Sequence, residues 1–173
     1  MNEKSASTNM ITTGYQFDDG GRTAAGFKGM CRDCGTRAAA IALSLPYREV
    51  YDELNSIRKE LLSKARSTRI KKSLNNSVRN GTSMRVMQEF FRRHGWVWVS
   101  TMKIGSGCNV HLNSWELPSG NIVIRVSKHY TAMVNGVIHD TFDPRLESEW
   151  SIDAGNRDKI TTKRCVYGYW RKI

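Results

Sequence analysis

No apolar run in the chain approaches the ~20 residues that a membrane-spanning helix needs. The first fifteen residues, Met1 to Tyr15, are polar and lack the apolar core of a secretory signal. The two absences predict a cytoplasmic protein with no membrane partner. Acidic side chains are scarce, with 16 Asp and Glu against 27 Lys and Arg, for a net charge of +11. That balance favours a partner of opposite charge: an acidic protein, a nucleic acid or an anionic surface. Cysteine is sparse as well. Four could make two disulfides, but without export the expectation is free thiols, a metal site or a catalytic residue.

What is present describes an ordinary globular chain. With 173 residues, 39% hydrophobic and 25% charged, it has the length of one domain with a real core. Residues 1–173 show no repeat and no internal boundary, and 1–10 carry a disordered composition. Asp18-Asp19-Gly20-Gly21 and Gly26-Phe27-Lys28-Gly29 are turn signals in a loop-rich start. The Ala-rich run Cys34-Gly35-Thr36-Arg37-Ala38-Ala39-Ala40 predicts a helix to about Leu45, with Asp33 as its N-cap. Pro46 suits the first turn of a second helix, whose apolar stripe is Tyr47, Val50, Tyr51, Leu54, Ile57 and Leu61. Lys64 to Asn80 loses the pattern and reads as an exposed loop. Thr82 or Ser83 caps a third helix carrying Met84, Met87, Phe90 and Phe91, which stops at Gly95. Strands follow at Trp96–Val99, Ile122–Ser127, His129–Val134, Val137–Thr141 and Cys165–Trp170, with an irregular stretch over Met102–Pro118. Helices first and an antiparallel sheet afterwards make the class α+β.

Charge is concentrated in one segment. Eleven basic residues between Arg58 and Arg93 are opposed only by Glu60 and Glu89, so 58–93 carries +9 of the +11. Such a run is either a solvated face or a binding face, nucleic acid included. The tryptophans at strand positions read as core.

The chemistry begins at Cys34. A cysteine opening a helix meets unsatisfied N–H groups and partial positive charge, which favour a thiolate. The Asn135-Gly136 pair between two apolar runs is a two-residue hairpin signal, and it sets a register. Val134 then opposes Val137, Ala132 opposes His139, Thr131 opposes Asp140 and His129 opposes Phe142. His129 and Asp140 share a face as diagonal neighbours, within reach of a His–carboxylate hydrogen bond. Asp143 faces away unless the chain bends at Pro144. Cys34, His129 and Asp140 thus supply a nucleophile, a base and an orienting carboxylate, with the Cys34 N–H as an oxyanion donor. The constellation requires no cofactor.

The same residues admit rivals. Cys31 and Cys34, with Cys108 and His111, have the spacing of a tetrahedral zinc site. Cys31 and Cys34 also have the spacing of a thiol–disulfide exchange pair, without the expected βαβ context. His111 reads as structural, and His94 as exposed at a helix end. A basic binding module with a structural zinc, acting on nucleic acid or an acidic host protein, is the alternative to a hydrolase.

Asp33-Cys34-Gly35, His129-Tyr130-Thr131-Ala132-Met133-Val134 and Ile138-His139-Asp140 resemble the motifs of papain-like cysteine peptidases. Within these they look most like the double-glycine leader peptidases of bacteriocin transporters. The resemblance covers about 120 residues and implies a papain-like fold with Cys34, His129 and Asp140 as the triad. It also implies a protein or peptide substrate. Those peptidases keep a glutamine six residues before the cysteine; Lys28 stands there, a candidate to stabilise an oxyanion by charge. Further segments, such as Gly26-Phe27-Lys28-Gly29 and Arg164-Cys165-Val166-Tyr167-Gly168-Tyr169-Trp170, are similar to a papain-like family of bacteria and their phages, which implies a fold more than an activity.

Overall fold

The computed structural model describes residues 14–147, 150–153 and 156–173. The expectation of disorder over 1–10 lies outside them. The described chain is α+β, with four α-helices and a six-stranded, mostly antiparallel sheet. Helix α1 is Cys34–Leu43, α2 Tyr47–Lys64, α3 Thr68–Leu74 and α4 Met84–Arg93. The strands are β1 Tyr15–Phe17, β2 Trp96–Ser100, β3 Asn121–Val126, β4 His129–Val134, β5 Val137–Asp140, β6 Trp150–Asp153, β7 Asn156–Thr162 and β8 Val166–Lys172. The large sheet runs β1-β5-β4-β3-β8-β2, with only the β1–β5 pair parallel, and β6 pairs with β7 apart from it.

Both faces of the sheet are buried. Helix α1 lies against β3, β4 and β5, and its small residues Ala38, Ala39, Ala40 and Ala42 let it approach closely. Helix α2 packs on α1 and α4, and α4 reaches β2. Their apolar faces (Val50, Leu54, Ile57, Met87, Phe90, Phe91) join Val123, Tyr130, Ala132 and Trp170 in one core. The alternate residues Ile122, Ile124, Val126, Met133 and Ile138 face a second core, closed by Leu112 and Leu117 from the irregular stretch. Period-two alternation therefore supplies two cores from one sheet. Trp96 and Trp170 are buried and Trp98 packs against the helix-side core, as strand positions in a doubly covered sheet require.

Three expectations are corrected. Lys64–Asn80 is no loop: α3 and a 3-10 turn at Val78–Asn80 fill it. Leu74 and Val78 are buried there, Arg58 Nη1 donates to the Leu74 carbonyl, and Asn55 Oδ1 accepts from the Val78 N–H. These two buried residues, one ending α3 and one in the 3-10 turn, are enough to dock a short basic helix. Secondly, Cys108 and Cys165 form a disulfide across 57 residues, where free thiols were expected. It ties the irregular stretch to the start of β8. Thirdly, strands β1, β6 and β7 were not foreseen: β1 and β6 are only three and four residues long, and β7 lacks apolar alternation. No helix among the described residues is long and apolar enough to cross a membrane.

Candidate active site

Cys34 is the first residue of α1, so the N–H groups of the first turn have no partner within the helix. Asp33 occupies the N-cap position, yet its side chain makes no capping bond. It is fully buried instead, and its carboxylate collects four donors. Arg22 Nε lies at 2.9 Å, the Cys31 thiol at 3.0 Å and Arg37 Nη1 at 3.4 Å, and the Tyr47 hydroxyl also donates. Burial alone would raise the Asp33 pKa. The bonds from Cys31 and Tyr47 and the charges of Arg37 and Arg22 hold it below the ordinary carboxylate value. The remaining donors of Arg22 bond the carbonyls of Phe27, Lys28 and Gly29. The loop before the cysteine is thus wrapped around one buried guanidinium–carboxylate pair.

Across the cleft the hairpin delivers the register read from Asn135-Gly136: Val134 opposite Val137 and Ala132 opposite His139. Asn135 and Gly136 both hold positive φ, at 50° and 85°, as a two-residue turn of this hand demands. His129 Nε2 lies 2.7 Å from Asp140 Oδ2. Asp140 is 4% exposed, and its second oxygen accepts the Thr141 N–H at 2.7 Å. The carboxylate fixes the proton on Nε2 and leaves Nδ1 to serve Cys34, which lines the same cleft as the ring. Burial would depress the His129 pKa. The bonds to Asp140 and Cys34 and their negative charges win, and it rises to about 9. Asp143 belongs elsewhere, since both its oxygens are taken by Arg145.

The structure therefore brings Cys34, His129 and Asp140 together, from the start of a helix, the start of β4 and the end of β5. Cys34 and His129 line a cleft of about 840 Å³, and Asp140 is buried behind the ring. Sequence reasoning missed Phe142, whose ring lies 5.0 Å from the His129 ring at the cleft wall. The register had it opposite His129, which was the available signal. It also missed Tyr47 and Arg22 as the partners of Asp33.

Other candidates are not gathered. The Lys28 side chain is exposed and does not line the cleft; its carbonyl serves as an acceptor for Arg22 and Arg79. The zinc set Cys31, Cys34, Cys108 and His111 does not converge. Cys108 is in the disulfide, His111 bonds Glu116, and no metal-holding group of three or more His, Cys, Asp or Glu occurs among the described residues. Cys31 faces the buried Asp33 carboxylate, and burial followed by that hydrogen bond raises its pKa, the reverse of what a thiolate ligand needs. His94 is half-buried, bonded to Glu53 and in tilted contact with the Phe90 ring, where an exposed ring was expected.

The basic segment 58–93 divides. Lys64, Arg92 and Arg93 pair with Glu60 and Glu89 on one face. Ser73, Asn76, Asn80, Ser83 and Met84 turn to the cleft instead. Compared with protein-family models, curated proteins and solved structures, the chain matches none.

Proposed function

We propose that this protein is a papain-like cysteine hydrolase, a peptidase, isopeptidase or amidase, acting on a protein or peptide. The observation that carries the reading is that Cys34 and His129 line one cleft, with His129 Nε2 on Asp140 at 2.7 Å. His129 takes the Cys34 proton at Nδ1. The thiolate attacks the substrate carbonyl, forming the C–S bond and an oxyanion that the free N–H groups at the start of α1 receive. Collapse breaks the C–N bond, and His129 passes its proton to the leaving amine. Water then attacks the thioester, giving a proton to His129, and the C–S bond breaks to restore the thiol. Asp140 keeps the ring in the tautomer and orientation that both transfers need. Every step uses groups of the chain and one water.

The setting we propose is the cytoplasm. Neither Cys108 nor Cys165 lines the cleft, so reduction of that bond leaves the reacting groups in place.

The deciding experiment is iodoacetamide labelling across pH, read cysteine by cysteine by mass spectrometry. Cys34 is expected to label fastest below pH 7 and to lose that advantage in His129→Ala. Equal, slow labelling of Cys34 in both proteins would remove the hydrolase reading.

A further inference from the structure

The walls of the cleft carry one sign of charge. Arg32, Arg37, Arg125 and Lys128 line it, and among the described residues no carboxylate does. Arg37 leans on Asp33, but among the described residues Arg32, Arg125 and Lys128 have no carboxylate within ion-pair distance. Arg125 is held over the Tyr167 ring, its guanidinium carbon 5.7 Å from the ring centre. Lys128 stands directly before His129 in the two-residue turn between β3 and β4, with φ at 57°. That conformation costs a non-glycine residue about 1 kcal/mol or more, and Gly or Asn would hold the turn with less strain. The turn keeps a long cation there despite that strain. Beyond Ser73, Ser83 and Met84, which belong to both, the cleft opens into a second depression bearing Arg69 and Arg85. Both are exposed and neither has a carboxylate partner among the described residues.

We propose that this continuous groove takes an acidic polypeptide segment, with Arg32, Arg125 and Lys128 reading carboxylates beside the scissile bond and Arg69 and Arg85 reading those further along. The proposal rests on the hydrolase reading of Cys34. A polypeptide fits better than a nucleic acid because a thiol relayed through histidine attacks acyl carbon.

The probe is a fluorescein-labelled dodecapeptide of alternating Glu and Gly, titrated by anisotropy into the Cys34→Ala protein. Its Lys–Gly counterpart and a poly-dT oligonucleotide of equal charge run beside it. The Glu peptide is expected to bind, more weakly as salt rises. Combined Arg32→Glu and Lys128→Glu, or Arg69→Glu and Arg85→Glu, should weaken it by roughly ten-fold or more, while Lys59→Glu, outside the groove, changes little. In the wild-type protein at low salt, iodoacetate should gain on iodoacetamide at Cys34 relative to the Arg32→Glu, Lys128→Glu protein. No binding of the Glu peptide, charge reversals no stronger than Lys59→Glu, or tighter binding of the oligonucleotide would each overturn the proposal. If the groove behaves as expected but His129→Ala leaves Cys34 labelling unchanged, the hydrolase reading fails and the basic groove stands. The opposite pair of results removes the groove alone.

Discussion

Asp33 carries a full charge into a place that water does not reach, and it survives there because two arginines, a tyrosine and a thiol meet it. Removing such a carboxylate leaves Arg22, itself 9% exposed, buried without its counter-charge. Asp33→Ala is therefore expected to cost roughly 3–5 kcal/mol. In a chain of this length that lowers the melting temperature by roughly 10 °C, readable by calorimetry. His129 supplies a second prediction. Its folded pKa of about 9 lies above the ordinary 6.5. The stabilisation from its cation is complete below 6.5 and is lost as pH rises through 9. The leaving group also needs that proton, so hydrolysis should fall on the alkaline side near pH 9. In Asp140→Asn the neutral amide holds the cation less well. The alkaline limb should then move to lower pH and the maximal rate should drop, which a pH–rate profile measures.

At the scale of elements, two tight turns aim the chemistry. The Asn135-Gly136 turn sets the β4–β5 register and so the meeting of His129 with Asp140; the turn at Ser127-Lys128 sets where β4 begins. On the far side of β3, strand β8 passes Trp98 of β2 at Gly168. A Cβ built there would lie 2.3 Å from the Trp98 ring and 2.6 Å from the Val99 carbonyl oxygen, at a φ of 153°. Backbone and a core-packed indole cannot both give way. Gly168→Ala should destabilise by roughly 1–3 kcal/mol or more, with the loss seen in denaturant unfolding. The variant tests the β2–β8 pairing without touching the cleft.

Over the whole molecule, charge and covalent linkage act separately. Glutamates neutralise part of the basic segment on the α2–α4 face, and Arg32, Arg125 and Lys128, without a carboxylate partner among the described residues, line the cleft. The Cys108–Cys165 bond closes 57 residues of chain that hold β3, β4 and β5. Its loss, by reductant or as Cys108→Ser with Cys165→Ser, should cost roughly 2–4 kcal/mol through unfolded-chain entropy. Thermal melts with and without reductant measure this. Cys34 labelling at a temperature where both forms are folded should not change, because the bond lies outside the cleft.

Much of the fold is local and so legible along the chain. The helical stripe of α2, the Ala run of α1 and the Ser83 cap are decided within a few residues. The two-residue hairpin converts sequence spacing into register, so the approach of His129 to Asp140 can be counted from the spacing alone. Distances between separate elements cannot be counted. Asp33 reads as a cap because Arg22 and Tyr47, eleven and fourteen residues away, make their claim on it only after folding. Cys108 finds Cys165 rather than Cys31 and Cys34 because β3, β4 and β5 fold between them. Lys28 stands where the resembled motif has a glutamine, and it meets Arg22 through its carbonyl. Phe142 reaches His129 beyond the last paired residue. Patterning is short-range and is written in spacing, whereas which groups share a buried site is set by packing, where only groups with complementary partners can leave water.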